Sequence, residues 1–183
     1  MNLEEKTLQR NIIYTGSVIR MRQDTALLPD GKTAGREVVE HPGGVCVAAV
    51  DEKDNLLLVK QFRYPYKEEL LEIPAGKRDK AGDDDPLTCG KRELKEETGY
   101  TAKEYISLGE LYPTPGYCDE VIYMFAAKNL TAGEQCPDED EFLDLVRIPF
   151  EQAVEMVLSG EIKDAKTQTA ILKLKILKEK GKF

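Results

Sequence analysis

Apolar positions along the chain fall into strand-like and helix-like runs. Gly44 to Val50 and Leu56 to Phe62 are almost continuously apolar, the pattern of strands covered on both faces, and Asp51-Glu52-Lys53-Asp54-Asn55 between them reads as a hairpin-like turn. Upstream, Asn11 to Leu28 is rich in Ile, Val, Tyr and Thr around Gly16, which predicts extended chain with a turn or bulge. Pro29-Asp30-Gly31-Lys32 is a turn signal, Arg36 to Glu40 the returning strand, and Pro42-Gly43-Gly44 a break. Glu69 to Ile73, Glu104 to Tyr112, Glu120 to Ala127 and Phe142 to Ile148 read as further strands. A helix is predicted from Asp85-Pro86, a capping Asp followed by a first-turn proline, to Thr98, with Gly99 as the left-handed stop. Phe150 to Ser159 predicts a second helix and Asp164 caps a third, whose Ala170, Ile171, Leu174 and Leu177 recur every three or four residues. Without a regular βαβ alternation these elements imply an α+β fold, a mixed β-sheet sandwiched between helices. Residues 1–42 read as a small N-terminal β unit and 43–183 as the main domain. The N-terminal unit has too few apolar residues for a core of its own, so it is expected to pack on the rest of the chain or on a second subunit, and a homodimer is predicted.

Composition narrows the classes of function. Of 183 residues, 41% are hydrophobic and 33% charged, and 26 Lys plus Arg against 34 Asp plus Glu leave a net charge of −8. That balance argues against nucleic-acid binding, which needs surplus positive charge to displace counterions from phosphates. A small anionic ligand remains compatible, because a divalent cation can mediate between an acidic protein and a phosphate. The longest apolar run, Val45 to Val50, is far short of a membrane span, and Met1 to Lys6 lacks the apolar core of a secretory signal. Cys46, Cys89, Cys118 and Cys136 contain no C-x-x-C pair and read as reduced, buried thiols. A cytoplasmic protein with no membrane contact is expected.

The candidate chemistry sits on the first predicted helix, in Arg92-Glu93-Leu94-Lys95-Glu96-Glu97. At about 3.6 residues per turn Glu93 and Glu97 share a face, with Glu96 beside them. Like charges at that spacing disfavour a helix by roughly 0.2–0.5 kcal/mol, which a hard divalent ion held by the carboxylates would offset. A solvated acidic face with Arg92 and Lys95 as ion-pair partners is the plainer alternative for such a run.

The stretch from Gly76 to Tyr100 resembles the signature of the Nudix hydrolases: a glycine, five residues, an acid, seven residues, then R-E-U-x-E-E-x-G-U with U aliphatic. Arg92, Glu93, Leu94, Glu96, Glu97 and Gly99 match its second half. Asp84 stands where the family has Glu, Gly76 lies two residues early, and Tyr100 replaces an aliphatic. Outside the signature, Lys60 to Tyr64, Glu72 to Lys77 and Pro115-Gly116 are similar to segments of the family's ADP-ribose pyrophosphatase branch, over roughly residues 10–180.

The resemblance implies Mg2+-dependent hydrolysis of the pyrophosphate bond of ADP-ribose to AMP and ribose 5-phosphate, with Mn2+ as a substitute metal. It implies metal ligation by Glu93, Glu97, Glu96 and the Ala75 carbonyl, with Arg92 orienting the carboxylates. A catalytic base or further ligand is implied in the loop 138–141, with Glu141 favoured over Glu139. Substrate contacts are implied at Arg36, Glu37, Arg63 and Gly116, some of them supplied by a partner subunit. In the absence of Trp, Tyr14 and Tyr117 are the aromatic candidates for stacking on a base, and His41, the single histidine, reads as structural. The same chemistry on another nucleoside diphosphate derivative, a nucleotide sugar or an oxidised nucleotide, and a non-catalytic ADP-ribose-binding regulator are the alternatives.

Overall fold

The structure, a computed structural model, describes residues 2–80, 85–138 and 141–183. The chain divides into two compact units, one made of Met1–Gly43 and Tyr112–Val121, the other of Gly44–Leu111 and Ile122–Phe183.

The first unit is an antiparallel three-stranded sheet, β1 (Lys6–Thr15), β2 (Arg20–Leu27) and β3 (Thr33–Glu40), in that order. The turn before β3 closes as its residues demand: Gly31 adopts φ +85°, its N–H donates to the Leu28 carbonyl, and the Lys32 N–H donates to Asp30 Oδ1. Residues 112–121 join the sheet through two bonds on either side of Val39, from its N–H to the Tyr117 carbonyl at 2.7 Å and from the Asp119 N–H to its carbonyl at 3.0 Å. Every residue of β1 is exposed, and the buried side chains of the unit's sheet are Asp24 and Ala26.

The second unit contains β4 (Gly44–Ala49), β5 (Asn55–Arg63), β6 (Glu68–Glu72), β7 (Ala75–Lys77), β8 (Tyr100–Leu111), β9 (Ile122–Ala132) and β10 (Leu143–Pro149). Its helices are α1 (Pro86–Thr98), α2 (Phe150–Leu158) and α3 (Ala165–Glu179). A mixed sheet in the order β7-β4-β9-β8, with β4 and β9 parallel, sits beside an antiparallel sheet β10-β5-β6. β4 is buried throughout, and its alternating side chains feed two cores. Cys46, Ala48 and Val50 join Phe150, Ile171 and Leu174 of α2 and α3, whereas Val47 and Ala49 join Leu94 of α1. The expected α+β sandwich is present, with helices on both faces.

The hairpin-like turn expected between β4 and β5 closes, the Asp51 N–H donating to the Asn55 carbonyl at 2.9 Å, but the strands do not pair beyond it. A single bridge, Val50 to Leu56, links them, and the strands run into different sheets. Strands apolar on both faces need neighbours on both edges, and β9 with β7, and β10 with β6, supply those; apolarity alone carries no pairing partner. Strand β8 begins at Tyr100, directly after the helix stop, and a short strand, β7, follows the strand expected at Glu69 to Ile73. Cys46 and Cys89 are buried, Cys118 is partly exposed and Cys136 is exposed, so the reading of all four as buried thiols fails at Cys136, which lies outside any strand or helix. No described helix is long and apolar enough to cross a membrane.

Candidate active site

α1 is set by its ends. Asp85 accepts from the Leu87 and Thr88 backbone N–H groups, Pro86 occupies the first turn, and Gly99 at φ +75° returns its N–H to the Lys95 carbonyl at 2.8 Å. Leu94 anchors the helix in the core, and this rotation turns Glu93 and Glu97 inward, where they are 6% and 2% exposed.

Two carboxylates one turn apart and out of water are poorly compensated. Arg92 Nη1 lies 2.7 Å from Glu93 Oε1, and Glu97 Oε2 accepts the Ala75 backbone N–H at 3.0 Å. Burial dominates both groups, aided at Glu93 by the charge of Glu96, at Glu97 by that of Glu93, and at both by the nearby charge of Glu141. Against the opposing pull of Arg92 and the Ala75 N–H, Glu93 is pushed from 4.5 up to about 7 and Glu97 up to about 8. Glu96, expected with these two as an ion ligand, lies beside them, partly exposed, and accepts from Arg92 Nη1 at 2.8 Å, so that one guanidinium bridges Glu93 and Glu96.

β7 brings the backbone to this pair. A Cβ on Gly76 would lie 2.0 Å from Glu93 Cδ, so the absence of a side chain there is what makes room for the carboxylate. Glycine at this site answers a close approach, not a positive φ. The segment leading into β7 is fixed by Arg63, whose Nε and Nη2 donate to the two Glu72 carboxylate oxygens at 2.6 Å each. The fork expected on a diphosphate is therefore closed on Glu72 here.

The loop after β9 covers the end of α1. The Cys136 N–H donates to the Glu96 carbonyl at 2.9 Å and Gln135 Nε2 to the Glu97 carbonyl at 2.7 Å, satisfying carbonyls the helix end leaves open. Asp138 pairs with Lys80 at 2.9 Å, and Lys80 also lies 3.7 Å from Glu96. Glu141 is exposed, with its N–H donating to the Asp138 carbonyl at 3.0 Å. Glu139 and Asp84 lie outside the described residues.

In the N-terminal unit, Arg36, Glu37 and Gly116 line one cavity of about 520 Å3 together with Arg22, Asp24 and Tyr117. Arg36 is held there by Glu5, Nη2 to Oε1 at 2.6 Å. Tyr14 is exposed on β1. His41 joins the end of β3 to the following turn: its N–H donates to Asp119 Oδ1 at 2.8 Å and its Nδ1 accepts from the Gly43 N–H at 3.1 Å.

A NUDIX domain family model matches residues 40–169. The chain belongs to the Nudix family. It is 42% identical over 177 residues to an ADP-ribose pyrophosphatase of Bacillus subtilis (strain 168), covering 96% of this chain and 95% of that protein. It is 38% identical to a methanol dehydrogenase activator of Bacillus methanolicus, covering 94% of each. A solved structure of an ADP compounds hydrolase superposes with a TM-score of 0.85 over 100% of both chains at 20% identity, a likeness of fold.

Nudix hydrolases generally use divalent metal ions, and the inward face of α1 suits one. Its donors are hard carboxylate oxygens, their burial leaves them short of positive charge, and Gly76 clears space at Glu93. Among the described residues no three Asp, Glu, His or Cys side chains converge to enclose an ion. Mg2+ keeps several waters and takes one or two carboxylates alongside substrate phosphates, which a pair with a nearby peptide satisfies.

Glu72 and Lys166 of the buried pair described below, and the loop contacts of Lys80 and Gln135, were not anticipated as parts of this neighbourhood. Glu72 fell within a segment already marked by its likeness to relatives; Lys166, one residue inside α3, reads as an ordinary surface lysine.

Two outcomes follow from the burial of the pair. Both glutamates titrate higher in the folded protein than in the unfolded chain, so their contribution to stability is complete below about pH 4.5 and is lost as pH rises through about 7 and about 8. Metal-free protein should lose melting temperature between about pH 5 and about pH 8.5, and millimolar Mg2+ should restore more of it at the upper end. Equal Mg2+ shifts at both pH values in scanning calorimetry would contradict this. Gly76→Ala should fold, since the Glu93 side chain can swing aside, yet lose about 100-fold in hydrolytic rate through the displaced carboxylate; unchanged turnover with an intact circular dichroism spectrum would count against the close approach mattering.

Proposed function

We propose that this chain hydrolyses the pyrophosphate bond of ADP-ribose, giving AMP and ribose 5-phosphate, with Mg2+ as cofactor and Mn2+ able to replace it. The observation that carries the reading is the buried Glu93–Glu97 pair beside the Ala75 peptide, in a chain 42% identical to an ADP-ribose pyrophosphatase along nearly its whole length.

Glu93, Glu97 and the Ala75 carbonyl would hold the ion, with Glu96 adjoining. A divalent ion there supplies charge neutralisation at the bridging oxygens and an acidified water. Arg92 spans Glu93 and Glu96 and keeps both carboxylates in place. Water adds its oxygen to one phosphorus, the bond from that phosphorus to the bridging oxygen breaks, and the proton passes to a carboxylate of the loop 138–141, Glu141 before Glu139. The charge of Glu141 acts on both buried glutamates, which supports a role for it at this site. Arg63, with its guanidinium preset by Glu72, and Arg36, Glu37 and Gly116 in the N-terminal unit contact the substrate. The relative named as an activator favours a second reading, an ADP-ribose-binding regulator without turnover; it predicts tight ADP-ribose binding and no AMP.

We also propose a homodimer formed through the N-terminal unit, in the cytoplasm. Leu8, Ile12, Ile13 and Tyr14 are all exposed on β1, apolar side chains that a second copy would cover.

Pure protein with ADP-ribose and Mg2+ should release AMP, and Glu97→Gln should slow that release by at least ~100-fold. A panel of nucleotide sugars and oxidised nucleotides should give lower kcat/KM than ADP-ribose; no AMP under any metal, or normal turnover by the variant, refutes the assignment. Light scattering at micromolar concentration should report twice the chain mass, and a monomer would defeat the dimer.

A further inference from the structure

Two opposite charges are buried in the second unit that the proposed chemistry does not use: Glu72 is 1% and Lys166 8% exposed. Lys166 Nζ donates to Glu72 Oε2 and lies 3.0 Å from Asp164 Oδ2, while Arg63 occupies both oxygens of Glu72. Asp164 caps α3 by accepting from the Thr167 N–H at 2.9 Å and hydroxyl at 2.6 Å. The same hydroxyl oxygen accepts the Ile73 N–H at 2.9 Å, across 94 positions of sequence. One residue further, the Pro74 carbonyl accepts from the Val47 N–H at 2.9 Å, and then the Ala75 N–H reaches Glu97. Four consecutive residues, 72 to 75, are thus tied in place, two of them to the start of α3.

A lysine in the first turn of a helix opposes the helix dipole, and taking a Lys–Glu pair out of water stabilises a fold less than apolar packing would. What such a pair supplies is one fixed arrangement. Here the arrangement ends at the peptide bonded to Glu97.

We propose that Glu72, Lys166 and Thr167 are positioning residues, which clamp segment 72–75 to the N-terminus of α3 and so hold the Ala75 peptide against Glu97 in the geometry that receives the ion. The proposal rests on the reading of Glu93 and Glu97 as the metal ligands. None of the three touches substrate or ion; they act through the peptide.

Titration of the purified protein with Mn2+, followed by electron paramagnetic resonance, tests this without turnover. Lys166→Met and the near-isosteric Thr167→Val should each weaken Mn2+ binding roughly 10-fold, the cost typical of losing a group that orients a ligand. Thr167→Val should also lower kcat with ADP-ribose while KM stays within about twofold, because Thr167 bonds to Ile73 and Asp164 and not to Arg63 or Glu72. Lys166→Arg should restore Mn2+ binding to near the parent's. Should Lys166→Met give no cooperative melt, Thr167→Val decides alone. Variants that melt earlier yet bind Mn2+ like the parent would overturn the proposal, reducing the clamp to fold stability. A parent protein that binds no Mn2+ would overturn the metal reading itself, a result distinct from variants matching a parent that binds.

Discussion

The rest of the second unit is organised around an unfavourable placement: two carboxylates on one turn of α1, removed from water and facing each other's charge, with one guanidinium and one peptide N–H as partners. A helix left to its own preferences would rotate such residues to solvent. Leu94 prevents that, because any rotation exposing Glu93 and Glu97 withdraws Leu94 from the core it shares with Val47, Ala49 and Leu57. Apolar burial therefore drives the carboxylates inward, and the pair holds its protons to higher pH than ordinary glutamates. A site that wants a cation is the chemical consequence of that packing.

Holding the backbone against the pair requires a second set of contacts. β7 approaches α1 through a residue without a side chain, and its predecessor segment is fastened by hydrogen bonds to β4 and to the first turn of α3. The fastening uses charge where apolar groups would give more stability, and it joins elements that are far apart in sequence. Rigidity at a metal or catalytic centre commonly comes from such outer contacts, since a ligand displaced by an ångström loses its function while the fold survives.

The parts of this arrangement that were readable from sequence are the local ones. Asp85, Pro86, Gly99 and Asp164 act within three or four residues of themselves, so cap chemistry located α1 and α3 closely. Helical spacing put Glu93 and Glu97 on one face with Glu96 beside them, but could not decide that Arg92 bridges Glu93 and Glu96, which depends on how far Leu94 turns the helix. The turn between β4 and β5 was readable in Asp51 to Asn55, but the strands' partners were not, because strand pairing is a property of edges and an apolar run has no mark for its neighbour. Lys166 and Glu72 were invisible as partners for the same reason, with 94 positions between them and no periodic pattern joining them. The resemblance to Nudix hydrolases located the acidic turn; the structure alone relates it to α3.

An acidic protein that works on a diphosphate must also manage long-range repulsion. With a net charge of −8, the field around the chain opposes an anion. The described cations near the pair are committed: Arg92 to Glu93 and Glu96, Lys80 to Asp138, Lys166 to Glu72 and Asp164, Arg63 to Glu72. Each pairs with a carboxylate of the protein itself, which reduces the positive potential they offer a substrate. On the proposed reading a divalent ion held by Glu93 and Glu97 would displace the protons they keep and supply the attractive charge, and so would couple substrate recruitment to metal occupancy.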